Sequence, residues 1–209
     1  IDRLDPLVKE TVKTAAVIGR EFDLSILFDV MRYNETFANQ QSDLRQLLQE
    51  QLDTAEQGQI WQEVSDQRYI FKYSLLREAA YNMQLLTRLQ TLHHLTAKAI
   101  EKHFADKLAP RYIDLAYHYE HADIFDKTCE YLRKAADFAR NNYQNQKALD
   151  YYERLLGKLG QQTQLIQKIK TLLKKGRILE LIGEWDQSID AYEKALELAK
   201  KDRDALLLG

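Results

Sequence analysis

The chain has 209 residues, a formal net charge of −2 and 45% apolar residues. Two prolines and seven glycines amount to about 4% of positions, against roughly 12% in average proteins. That excludes collagen-like, low-complexity and linker-dominated chains, and leaves long helices as the main option. A single cysteine excludes an intrachain disulfide framework and a cysteine zinc cluster.

No apolar run is long enough for a membrane span, and the start lacks the basic-then-apolar shape of a signal peptide. The near-zero charge exerts no general pull on nucleic acid or anionic lipid. A chain that opens on Ile1 reads as a piece of a larger cytoplasmic protein.

Residues 1–84 hold nine basic and fourteen acidic side chains, a balance of −5; the remainder holds 21 and 18, a balance of +3. Asp5-Pro6 is a helix start, because Asp can cap and Pro is tolerated at the first helical position. Leu7, Val8, Thr11, Val12, Ala15 and Ala16 then recur at helical spacing up to Gly19. Asp23 opens a second helix carrying Leu24, Leu27, Phe28 and Met31. A third is expected from about Ser42, with Leu44, Leu47, Leu48 and Leu52 on its stripe.

The period then changes from helical to alternating. Ile60 to Val64 and Tyr69 to Tyr73 are aromatic, β-branched runs around Ser65-Asp66-Gln67, which predicts a β-hairpin. Asp53 to Glu56 is a candidate short third strand. Helix, helix, helix, hairpin is the winged-helix order. Its third helix would read DNA with Lys, Arg, Asn or Gln. Between Ser42 and Leu52 there is one Arg and there are two acids, so a packing or hinge module is expected instead of a DNA reader.

From Ser74 onward the pattern is helical. One helix carries Leu75, Leu76, Ala79, Ala80 and Met83; the next carries Leu89, Leu92, Thr96, Ala99, Ile100 and Phe104. Ala105 to Pro110 is the clearest break. The expected division is a winged-helix-like domain over 1–84, a connecting helix over 85–109, and a helical repeat array over 110–209. Helices are predicted at Tyr112–His121, Lys127–Asn141, Gln146–Leu159, Thr163–Ile182 and Asp186–Lys200. Short connections make neighbours antiparallel.

The last pair approaches the tetratricopeptide pattern: Leu172, Gly176 and Leu179, then Ser188, Tyr192 and Ala195. Ala148 and Tyr152 repeat the small-x3-aromatic pair forty residues earlier. Small residues let helices approach, and the aromatic fills the groove between them. The expected fold is therefore mainly α, a winged helix with a small hairpin followed by an antiparallel tetratricopeptide-like array.

Catalytic chemistry is not legible. Neither G-x-x-x-x-G-K nor G-x-G-x-x-G occurs. Cys129 sits in a packing stripe and reads as a small buried hydrophobe. His118 and His121 share a helix face at i,i+3, but a third metal ligand would have to come from elsewhere, and adjacent His93 and His94 face different ways. No metal and no cofactor is expected. Among the tyrosines, Tyr119, Tyr131, Tyr152 and Tyr192 fall at packing positions. Tyr117, Tyr143 and Tyr151 are the candidates to face a protein or peptide partner.

Thr14-Ala-Ala-Val-Ile-Gly-Arg-Glu-Phe-Asp23, Phe71-Lys-Tyr-Ser-Leu-Leu-Arg-Glu-Ala-Ala-Tyr81 and Leu92-His93 carry a resemblance. They resemble the region that follows the ATPase domain in bacterial signalling proteins of the STAND class. The similarity is greatest to adenylate/guanylate cyclases with an AAA-like ATPase and tetratricopeptide repeats; LuxR-type transcriptional activators share the layout. The resemblance implies a non-catalytic regulatory module that docks on an ATPase domain of the same chain. It also implies that Tyr73 stands where the family often has a His near the nucleotide. A Tyr cannot become a cation there.

Overall fold

A computed structural model describes residues 4–33, 43–65, 67–160 and 164–208. The expected helix starts at Ser42 and Thr163, the turn residue Asp66 and most of the connection after Gly160 lie outside the described residues. Ten α-helices and one small antiparallel sheet make up the described chain. It separates into two compact units: residues 1–108 with 117–124, and residues 109–116 with 125–209.

In the first unit α1 (Pro6–Ile18) begins as its sequence dictates, with the Asp5 carboxylate accepting the Leu7 N–H at 2.9 Å and Pro at the first position. β1 (Glu21–Asp23) leads into α2 (Leu24–Met31), and α3 (Leu44–Gln57) precedes the hairpin of β2 (Trp61–Ser65) and β3 (Arg68–Phe71). The sheet order is β1-β3-β2, so β3 is central. Phe22 lies opposite Tyr69, Trp61 opposite Phe71, and the β2–β3 register shifts between Glu63 and Ser65.

The third strand expected at Asp53 to Glu56 is helix. Leu44, Leu48, Gln51, Leu52 and Ala55 continue one buried 3.6-period stripe through it. The strand that completes the sheet is β1. Three residues are too few to carry a period, and backbone pairing to β3 defines it.

Four aromatic rings lock the sheet to the helices. Phe22 packs against Trp61 at 5.3 Å between centroids, and Trp61 packs edge-on to Phe71 at 5.5 Å. The Trp61 indole N–H donates to the Leu52 carbonyl at 3.1 Å, which satisfies the one polar group a buried Trp carries. α4 (Ser74–Asn82) and α5 (Leu86–His103) complete this unit, together with residues 117–124. The break expected at Ala105 to Pro110 is two 3-10 turns, Ala105–Lys107 and Ala109–Arg111.

Five further helices follow: α6 (Tyr112–His121), α7 (Phe125–Asn141), α8 (Asn145–Leu159), α9 (Leu165–Leu181) and α10 (Trp185–Leu208). Three of the connections are one turn used three times. In each, one residue takes a left-handed φ: Asp123 at 59°, Tyr143 at 58° and Gly183 at 86°. The N–H of the following residue reaches back to a carbonyl five positions earlier. These bonds are Ile124 to Tyr119 at 3.0 Å, Gln144 to Ala139 at 2.9 Å and Glu184 to Leu179 at 2.9 Å. This six-residue closure satisfies carbonyls that a helix end would otherwise orphan.

In the second unit, α9 and α10 meet where Gly176 faces Tyr192. A Cβ at Gly176 would stand 2.6 Å from the Tyr192 ring, and the Ser188 hydroxyl donates to the Gly176 carbonyl at 3.0 Å. Ala195, expected where the two helices cross, is buried. Asp137 of α7 ties three helices together: it accepts from the Tyr152 hydroxyl of α8 at 2.5 Å and from the Lys174 ammonium of α9 at 2.8 Å. Burial alone would raise the Asp137 carboxyl; Lys174 and Tyr152 outweigh it and hold it below the usual range.

Candidate functional sites

The structure separates the sequence-predicted residues. Tyr73 is the extended residue just before α4 and is 62% exposed; Leu75, one residue into the helix, is 73% exposed. Leu85 and Leu86 at the start of α5 are also largely bare. Exposed large apolar side chains at these sites leave the first unit with surface suited to a protein contact.

Tyr143 and Tyr151 belong to the second unit. Tyr143 is 87% exposed at the left-handed position of its turn. Tyr151 is half-buried and lines a cavity of about 150 Å³ together with Tyr112, Ile113, Phe138, Gln144 and Lys147. Its lining combines aromatic rings with the Gln144 amide and the Lys147 ammonium. Tyr119, Tyr131 and Tyr152, read as packing residues, are buried; Tyr192 is half-buried in contact range of Gly176.

Tyr117 belongs to the first unit, in a cluster of histidines that the sequence does not reveal. Its ring lies 4.1 Å from that of His121 and 5.6 Å from that of His93. His93 of α5 and His118 of α6 are buried and face each other, Nδ1 to Nδ1, at 2.9 Å. The other nitrogen of His93 meets the Tyr81 hydroxyl at 2.9 Å. Burial first, and then the charges of neighbouring histidines and Arg77, push His93 and His118 down to about 3. Both rings are therefore neutral near pH 7.

The spacing of His118 and His121 pointed to this region, but His93 lies 25 residues upstream of His118, and only the packing of α5 unites them. Among the described residues, no group of three or more His, Cys, Asp or Glu side chains is arranged to hold a metal ion. Cys129 is buried, and burial followed by Asp126 pushes its thiol up to about 11, which suits the packing role read from the sequence.

A second cavity, about 340 Å³, opens between α2 and α5 beside Asp29, Arg32, Lys98 and Lys102. Its carboxylate is already engaged, since Asp29 accepts from Lys102 at 2.7 Å and from His103 at 2.8 Å. The exposed face of α3 pairs with itself: Gln46 donates to Glu50 and Gln49 to Asp53, each at 3.1 Å. Among the described residues no helix is long and apolar enough to cross a membrane. No protein-family model matches the chain, and no curated protein matches it.

Proposed function

We propose that this chain is a regulatory, protein-interaction module without catalytic chemistry of its own. In this reading the first unit is a winged helix and the second a tetratricopeptide-like array. The parent is a bacterial, cytoplasmic STAND-type protein, with a nucleotide cyclase favoured over a LuxR-type activator. The bare Tyr73 and Leu75 surface would meet an ATPase domain of the same chain. The observation that carries the proposal is the aromatic cavity at Tyr151, whose size of about 150 Å³ and lining suit one side chain of a protein partner. The exposed face of α3, with one Arg against three acids in the helix and its glutamines paired to Glu50 and Asp53, gives no support to DNA binding.

The test uses the 209-residue chain against a displayed peptide library, with affinities measured for selected peptides. Tyr151→Ala should weaken binding about tenfold or more, the scale of one lost aromatic anchor, while Tyr33→Ala leaves it unchanged. Peptides indifferent to Tyr151→Ala would remove the cavity from the reading. ATP hydrolysis or cyclic-nucleotide synthesis by the chain alone would overturn the non-catalytic assignment.

A further inference from the structure

The Nδ1–Nδ1 contact of His93 and His118 at 2.9 Å has room for one proton: one ring donates and the other accepts through a bare nitrogen. The Nε2 of His93 meets the Tyr81 hydroxyl at 2.9 Å, where nitrogen and oxygen likewise share one proton. The chain Tyr81, His93, His118 joins α4, α5 and α6 inside the first unit.

Such a chain has no comfortable place for added protons. One added proton on either ring leaves a cation in a buried site. A second leaves both Nδ1 atoms protonated, sets two N–H groups against each other across 2.9 Å and breaks the contact. The charged groups acting on the pair offer no relief. Arg77 reaches in from α4, with its guanidinium donating to the Ala16 carbonyl at 3.0 Å, and His121 stands on α6; both oppose protonation. The tyrosines at the site, Tyr81 and Tyr117, are neutral donors or acceptors. The backbone at Ile18 of α1 favours a charged His118, but burial and His121 outweigh it, and α1 contributes no carboxylate among the groups that act on the pair.

We propose that this chain is an acid-released latch: proton uptake by His93 and His118 frees residues 118–124, the end of α6 and its turn, from α5. Above pH 6.5 the latch is closed. As pH falls the released histidines gain protons that the closed pair refuses. Opening then grows by about elevenfold per histidine at pH 5.5, hence about a hundredfold for two.

The experiment is hydrogen exchange on the whole chain at pH 7.5 and 5.5, expressed as protection factors so that the intrinsic pH dependence of exchange drops out. Protection over 118–124 should fall about a hundredfold in the wild type and about tenfold in His118→Gln. In His93→Gln/His118→Gln, which cannot take up protons at these positions, it should not change. Protection in α1 and α3 should hold steady. An unchanged wild-type segment, an equal loss across the whole first unit, or the same loss in the double variant would each overturn the latch. Should the double variant fail to fold, nitrogen-15 spectra of the wild-type rings decide. The latch requires both rings to be neutral at pH 7.5, with one of the two facing Nδ1 atoms protonated and the other bare. A pair titrating near 6.5 with 118–124 still protected refutes it.

Discussion

Gly176 and Gly157 are both helical glycines, and they should answer the same substitution with opposite signs. Replacing a mid-helix Gly by Ala gains about 0.5–1 kcal/mol from backbone entropy alone. At Gly157, in α8, an added Cβ would meet nothing within 4 Å, so Gly157→Ala should show that gain in full. At Gly176 the same methyl would lie 2.6 Å from one Tyr192 ring carbon and 3.0 Å from two others. The ring must move. Its hydroxyl donates to Glu180, and Ser188 one turn earlier is tied to the Gly176 carbonyl, so the hairpin has to open slightly. Overpacking of this kind costs about 1–3 kcal/mol. Subtracting the propensity gain leaves Gly176→Ala destabilising by up to about 2.5 kcal/mol, with a midpoint of about 1 kcal/mol. Urea titrations followed by far-ultraviolet circular dichroism, with hydrogen exchange over α9 and α10, measure both variants. Tyr192→Ala in the same chain should convert Gly176→Ala to a gain, because the atoms it strikes are gone. If Gly176→Ala stabilises as much as Gly157→Ala, the close helix approach is not what holds this hairpin.

The three repeated turns make a second pair: Gly183→Ala should cost about 1 kcal/mol, because a Cβ is strained at φ 86°, and Tyr143→Gly should gain about 0.5 kcal/mol by relieving the same strain. Thermal melts of the two variants with opposite shifts check this, and equal shifts refute it. Asp137→Ala strands the buried Tyr152 hydroxyl and the Lys174 ammonium, at a cost of about 2 kcal/mol by urea titration. Because the Asp137 carboxyl is held below its usual range, its contribution is present above about pH 4 and fades as pH falls further; a variant whose deficit is unchanged at pH 3 would contradict the assignment. Trp61→Ala empties the aromatic cluster and should cost about 3–5 kcal/mol. In Trp185→Phe protein, whose only remaining indole is Trp61, native fluorescence should be blue-shifted and resistant to iodide, since Trp61 is buried and Trp185 is 61% exposed.

Much of the helical layout could be read from spacing, and its failures have physical causes. α3 was expected to end near Leu52, with Asp53 to Glu56 as a candidate short third strand. In the structure Asp53 and Thr54 lie on the solvent face of the continuing helix, while Ala55 keeps the buried stripe running. β1 carried no signal because a three-residue strand is specified by its partner, here β3, and not by its own composition. The turn after α7 falls in the break expected between Asn141 and Gln146, and its left-handed residue is Tyr143, an aromatic that takes on steric strain to close the same bond as Asp123 and Gly183. Geometry shared across three turns therefore outranks residue preference at one of them.

The candidate sites divide along the same line. Tyr151 was found because repeat periodicity alone left it off the packing stripe, and it does line a cavity. Tyr117 was chosen by the same logic, and its outcome differs because a second helix supplies the missing surroundings. His93 has no local mark of importance: it is one of two adjacent histidines on an ordinary amphipathic helix. In the proposed latch it acquires a role only when α5 sets it 2.9 Å from His118 and α4 brings the Tyr81 hydroxyl to its other nitrogen. Each of those conditions is a tertiary contact between residues far apart in the chain. Chemistry that depends on direction, such as which nitrogen holds a proton, is therefore the last thing a linear sequence discloses and the first that replacing His118 by a non-titrating Gln should disturb.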